Sequence, residues 1–119
     1  MNFKSIDKDL LLKHFSGDEE ILLDMINAIH NGIHNLLDPI RDSIYNQNGD
    51  LLRINAHTFK GIMNSFYSSA ASRVAHELEM RGQNSLFDDA LILLNQLEDM
   101  LMLFIYEIDH LKKDLDKSF

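Results

Sequence analysis

Between residues 87 and 115, nine apolar side chains recur at intervals of three and four: Phe87, Ala90, Leu94, Leu97, Leu101, Phe104, Ile108, Leu111 and Leu115. Such a stripe is one face of a helix; a strand, whose side chains alternate at two, cannot present it. The helix runs to about Lys117 and needs other helices to cover it. Strand signals are nearly absent from the rest of the chain, so the spacing predicts five helices.

A short first helix spans residues 6–15 with Ser5 as its N-cap, and Ser16-Gly17 breaks the chain. Asp18-Glu19-Glu20 opens the second helix, acidic groups lying at its positive end. Its apolar positions Ile21, Leu22, Met25, Ile26, Ile29, Ile33, Leu36, Leu37, Ile40 and Ile44 carry it towards Tyr45. Pro39 falls inside. Either the helix kinks there, or Asp38 caps a new segment with Pro39 at its first position; the kink is the preferred reading. Asn46-Gln47-Asn48-Gly49 is a turn, and Asp50 caps a third helix reaching about Tyr67. Ser68-Ser69 caps a fourth that ends at Arg81 with Gly82 as its stop, and Asn84-Ser85 starts the last. Short connections imply antiparallel neighbours. The expected fold is all-α, an antiparallel up-down four-helix bundle with a short additional N-terminal helix.

Length and composition narrow the class. With 119 residues, 45% hydrophobic and 25% charged, residues 1–119 read as a single globular domain. There is no cysteine, hence neither a disulfide framework nor a thiolate metal site. A formal net charge of −8 argues against nucleic acid, whose phosphates demand clustered Lys and Arg. The apolar run at residues 10–12 is too short for a signal peptide, and the most apolar stretch, residues 90–106, is interrupted by Asn95, Gln96, Glu98 and Asp99. No membrane association, a cytoplasmic location and a monomer are expected.

The third helix carries the functional signal. With about 100° of rotation per residue, Asp50, Arg53, Lys60, Gly61 and Asn64 fall within roughly 60° of His57. Leu51, Leu52, Ala56, Phe59, Ile62, Met63 and Phe66 fall on the other side, with Asn55 the one polar residue among them. The back is core and the front presents His57 to solvent. Lys60, at i+3, is near enough to share a partner with it. Gly61 costs about 1 kcal/mol relative to alanine in mid-helix. It leaves a bare spot where another backbone could approach, and Ile54 at the edge of the face offers an apolar contact. An exposed imidazole, with a reference pKa of roughly 6.5, is largely neutral at cytoplasmic pH and can act as a phosphoryl acceptor. An ammonium beside it can neutralise the oxygens in transfer. No glycine-rich phosphate loop, Walker lysine or kinase motif set accompanies it, so the chain does not bind ATP and phosphorylate itself.

Ala56-His57-Thr58-Phe59-Lys60-Gly61 resembles the signature A-H-x-L-K-G of the histidine-containing phosphotransfer (HPt) domain, with Phe59 in the usual Leu place. Leu78-Glu79 and Arg81-Gly82 resemble that family's "LE" segment and turn. Gly17-Asp18-Glu19-Glu20-Ile21-Leu22 resembles its helix opening, G-D-x-x-L-L, with Ile21 for the first Leu. The resemblance covers about residues 5–115. It implies a phosphorelay intermediate, with His57 as phosphoacceptor and Lys60 contacting the phosphoryl group or the receiver. Arg53, Ile54, Gly61 and Asn64 would form the docking face. Glu79 aligns with a position that in some members orients the histidine. The implied partners are response-regulator receiver domains and a hybrid histidine kinase; no cofactor of its own is implied, magnesium coming from the receiver. The chain departs from the family after Lys-Gly. Ile62-Met63-Asn64-Ser65-Phe66 is bulkier than usual, and Tyr67-Ser68 takes the usual Gly-Ala place, either altering the turn or lining the docking surface.

Other readings compete. An HPt-like module could dock receivers or a kinase without accepting phosphate. His30 and His34 at i, i+4, with Asp38 a turn on, could share a metal; a solvated face is the expected reading, and no metal site is expected. His14, His76 and His110 are isolated and carry no assigned role. On the last helix, Ile92, Leu93, Met100, Met102 and Leu103 widen the apolar surface, which serves either the core or an oligomer; the core is expected.

Overall fold

The computed structural model describes residues 2–117 and, within them, every side chain but that of His34. All regular structure among the described residues is helical. The order is α1 (Lys8–His14), α2 (Glu19–Gly32), a 3-10 turn (Ile33–Asn35), α3 (Asp38–Tyr45), α4 (Gly49–Ser65), α5 (Ser69–Gln83) and α6 (Ala90–Asp116). α4 lies along α5, α5 on α6 and α3 on α4, while α2 and α3 both reach α6.

The expected kink at Pro39 is instead a break. α2 ends at Gly32, and α3 begins afresh with Pro39 in its first turn, where a missing N–H leaves no bond unmade. Asp38 does not cap α3: it is the helix's own first residue, after Leu37, and its carboxylate accepts from Arg41 at 2.8 Å. Other boundaries move for similar reasons. Asp7 rather than Ser5 caps α1, accepting from the Leu10 N–H at 3.1 Å. Asn48 rather than Asp50 caps α4, its Oδ1 accepting from the Leu51 N–H at 3.1 Å. α6 starts at Ala90, after a loop in which Arg81 grips both oxygens of Asp89 at 2.9 Å.

The core is continuous. Leu11, Leu22, Ile26, Ile40, Leu52, Phe59, Met63, Leu78, Leu94, Leu97, Phe104 and Ile108 are fully buried. Phe66 meets Phe104 edge to face at 5.3 Å between centroids. Of the extra apolar residues of α6, Leu93 is buried and Met100 partly so, whereas Ile92, Met102 and Leu103 are exposed. The core accounts for only some of that surface. None of the described helices is long and apolar enough to cross a membrane.

One polar feature ties the chain's beginning to its end. Glu107, buried on α6, accepts from the backbone N–H groups of Lys4, Ser5 and Ile6 at 2.9–3.0 Å. Those amides are otherwise without helical partners, so the carboxylate meets a small nest of donors. The same segment reaches the turn after α4: the Asp7 N–H donates to the Tyr67 carbonyl at 3.0 Å, and the hydroxyls of Ser5 and Ser68 lie 3.0 Å apart. Tyr67 itself sits at φ +55°, the left-handed region that glycine enters most easily. The turn into α5 thus places a bulky residue in a backbone conformation that favours glycine.

Candidate functional site

α4 is held so that one face is fixed outward. Leu52, Ala56, Phe59 and Met63 are buried on its back. Asn55 locks its rotation against α3, donating from Nδ2 to the Pro39 carbonyl at 3.1 Å and to Ser43 Oγ at 2.9 Å. The polar intruder on the apolar side is thus satisfied by α3. Leu51, counted with the back by rotation, is 47% exposed and belongs to the rim.

On the front, His57 has a side chain 66% exposed. Arg53, Ile54, Gly61 and Asn64 are exposed on the same helix. A Cβ built on Gly61 would meet nothing within 4 Å, so no contact inside the chain requires glycine there.

α5 supplies the other half. Glu79, only 17% exposed, places Oε2 3.2 Å from Nδ1 of His57 and Oε1 2.6 Å from Nζ of Lys60. Oε1 is buried, and its charge is met by the ammonium rather than by a well-directed hydrogen bond. Burial works to raise the Glu79 pKa, but the close contacts with the Lys60 ammonium and the His57 imidazole outweigh it and hold the carboxyl below its ordinary value. Glu79 is ionised at neutral pH. An ionised carboxylate only accepts, so Nδ1 of His57 carries the proton in this contact. Nε2 is left with no partner among the described residues, on a side chain that is 66% exposed.

The register of the two helices depends on two glycines. Gly82 is not the end of its helix but a buried contact within α5, where an added Cβ would fall 2.4 Å from the Arg53 nitrogen. At Gly49 it would fall 2.7 Å from the Gly82 carbonyl oxygen. Gly82 thus meets the α4 backbone at Arg53, about one turn before His57, and at Gly49, about one turn further back.

The structure also gathers a residue the sequence reading set aside. His76 puts Nδ1 3.4 Å from Nζ of Lys60 and 3.7 Å from Oε1 of Glu79. The available signal was the i, i+3 spacing of His76 and Glu79 on one helix. His30, by contrast, faces Asp109 at 3.4 Å. No group of three potential metal ligands stands together among the described residues, and the His34 side chain lies outside them.

This arrangement of helices is the fold of a histidine-containing phosphotransfer protein. Superposition matches the crystal structure of histidine-containing phosphotransfer protein B (HptB) from Pseudomonas aeruginosa PAO1, with a TM-score of 0.86 over 95% of this chain and 98% of that one. The two sequences are 16% identical, so the likeness is one of fold. Compared by sequence, the chain matches no protein-family model and no curated protein.

Proposed function

We propose that this chain is a phosphorelay intermediate: His57 takes a phosphoryl group from the aspartyl phosphate of one receiver domain and yields it to another. The observation that carries the reading is the division of the His57 ring. Nδ1 is engaged by Glu79 while Nε2, on a largely exposed side chain, has no partner among the described residues. In the forward step the Nε2 lone pair attacks phosphorus, the bond from phosphorus to the aspartyl oxygen breaks, and the carboxylate leaves. The imidazole keeps its Nδ1 proton and becomes cationic, and Glu79 stabilises that charge. In the return step an aspartate oxygen of the next receiver attacks phosphorus and Nε2 leaves. Lys60 would balance the negative oxygens, and the receiver would bring the magnesium.

The docking face in this reading is Arg53, Ile54, Gly61 and Asn64 around His57. The open space over Gly61 supports it, since a partner's backbone is what a missing side chain there would admit. The helix pairings support an antiparallel bundle of α2–α3, α4, α5 and α6, and the burial of Leu11 supports α1 packing onto it. A monomer, partners confined to receivers and a histidine kinase, and a cytoplasmic setting complete the proposal; an acidic body gives no ground for nucleic acid.

The test is phosphotransfer. Incubated with a panel of phosphorylated receivers, the protein should take up acid-labile phosphate, and His57→Gln should abolish the label. Absence of label from the whole panel would count against the proposal. Receiver binding without label, surviving His57→Gln, would instead mark a docking module.

A further inference from the structure

His76 lies one turn before Glu79 on α5, and its side chain is 55% exposed. It is near two charges, and the distances rank them. The 3.4 Å from Nδ1 to the Lys60 ammonium is within reach of a hydrogen bond, whereas 3.7 Å to Oε1 of Glu79 is not. An ammonium offers three N–H groups and no lone pair, so an imidazole nitrogen at this range can only accept from it. As the acceptor in this contact, Nδ1 carries no hydrogen, and the ring N–H is at Nε2. The charged groups facing it are Lys60 from α4 and Glu79 from its own helix.

The burial of Lys60 needs explaining. Lysine side chains are mostly exposed, yet this one is 20% exposed over its whole length, with Nζ 2.6 Å from a buried carboxylate oxygen. Glu79 draws the ammonium inward from one direction and His76 receives it from another. With the imidazole gone, Glu79 alone would hold the lysine, and partly exposed single ion pairs hold weakly.

We propose that His76 is a positioning residue, holding the Lys60 ammonium on Glu79 and so fixing the charge beneath His57. The inference rests on the reading of His57 as phosphoacceptor for its consequence, but not for its geometry. Lys60 kept at 2.6 Å from Glu79 stands ready beside the histidine and offsets a carboxylate that would otherwise act on the ring unbalanced.

Two measurements on the whole chain test it, with wild type, His76→Ala and His76→Gln compared. The first is the nitrogen-15 spectrum of lysine ammonium groups, in which a held Nζ is protected from exchange with water. The second is the rate of phosphoryl uptake from a phosphorylated receiver. In His76→Ala the Lys60 signal should broaden into exchange and uptake should fall about tenfold, the weight of one hydrogen bond to a charged group. Glutamine can accept through its amide oxygen, so His76→Gln should restore most of both. A Lys60 signal unchanged in His76→Ala, or a glutamine variant that behaves as alanine, overturns the proposal. The spectrum requires no phosphate. A wild type that takes up no label from any receiver would sink the acceptor reading of His57, while an ammonium signal lost in alanine and regained in glutamine would still establish what His76 does.

Discussion

Two glutamates are drawn into this molecule by opposite means. Glu107 is wholly buried and meets backbone amides of residues 4–6, donors that cannot leave without unravelling the segment. Glu79 keeps an exposed edge and meets side chains, an imidazole and an ammonium, each able to turn elsewhere. The first is a structural fastening. The second is a charge held by side chains. A carboxylate matched by backbone dipoles stabilises one arrangement; one matched by side chains can adjust when the charge beside it changes.

The contrast can be broken most forcefully at Glu107. Glu107→Ala strands buried amides, each costing about 1–3 kcal/mol, so denaturant unfolding should show a loss of about 3 kcal/mol or more. A loss below about 1 kcal/mol would mean that water replaces the carboxylate and the fastening is illusory. The glycines extend the comparison. Gly82→Ala forces backbone apart at Arg53 and should cost about 2–3 kcal/mol with the His57–Glu79 contact disturbed. Gly61→Ala meets open space and should gain up to about 1 kcal/mol by helix propensity, while weakening receiver binding. If Gly61→Ala destabilises the free protein, the open side of the contrast is wrong.

The smallest effect is expected at Glu79, where Glu79→Gln should cost about 1 kcal/mol at neutral pH. Its sign with pH follows from the lowered pKa. The group is bound to fewer protons folded than unfolded, so its contribution is complete above its ordinary value of 4.5 and is lost as pH falls through the folded value. Melts of wild type and Glu79→Gln should therefore converge in acid. A gap that widens there would reverse the assignment.

The histidine face was legible because a rotation of the helix is enough to place Arg53, Ile54, His57, Lys60, Gly61 and Asn64 together. The break before Pro39 was not, although both alternatives were visible. Ile33, Leu37 and Ile40 are all buried, so the apolar rhythm continues across a 3-10 turn and disguises it as unbroken helix. Gly82 reads as a stop because a glycine near a helix end usually is one; only the neighbouring helix reveals a close contact. Asp89 lies outside any local rule, since Arg81 competes for the carboxylate that would have capped α6. His76 gave only the weak signal of its i, i+3 spacing with Glu79, and Glu107 gave none, because the contacts of both with other elements are invisible to local spacing. Those partners are 16 residues away for the first and up to 103 for the second.

That separation has a kinetic side. His57 and Glu79 are 22 residues apart across a single turn, whereas Lys4 and Glu107 are 103 apart. Loop closure grows with the logarithm of length, which makes the shorter circuit about 1.4 kcal/mol cheaper to close. The α4–α5 hairpin can therefore form as a local event, ahead of the clasp between Glu107 and residues 4–6, and damage to the clasp need not erase it.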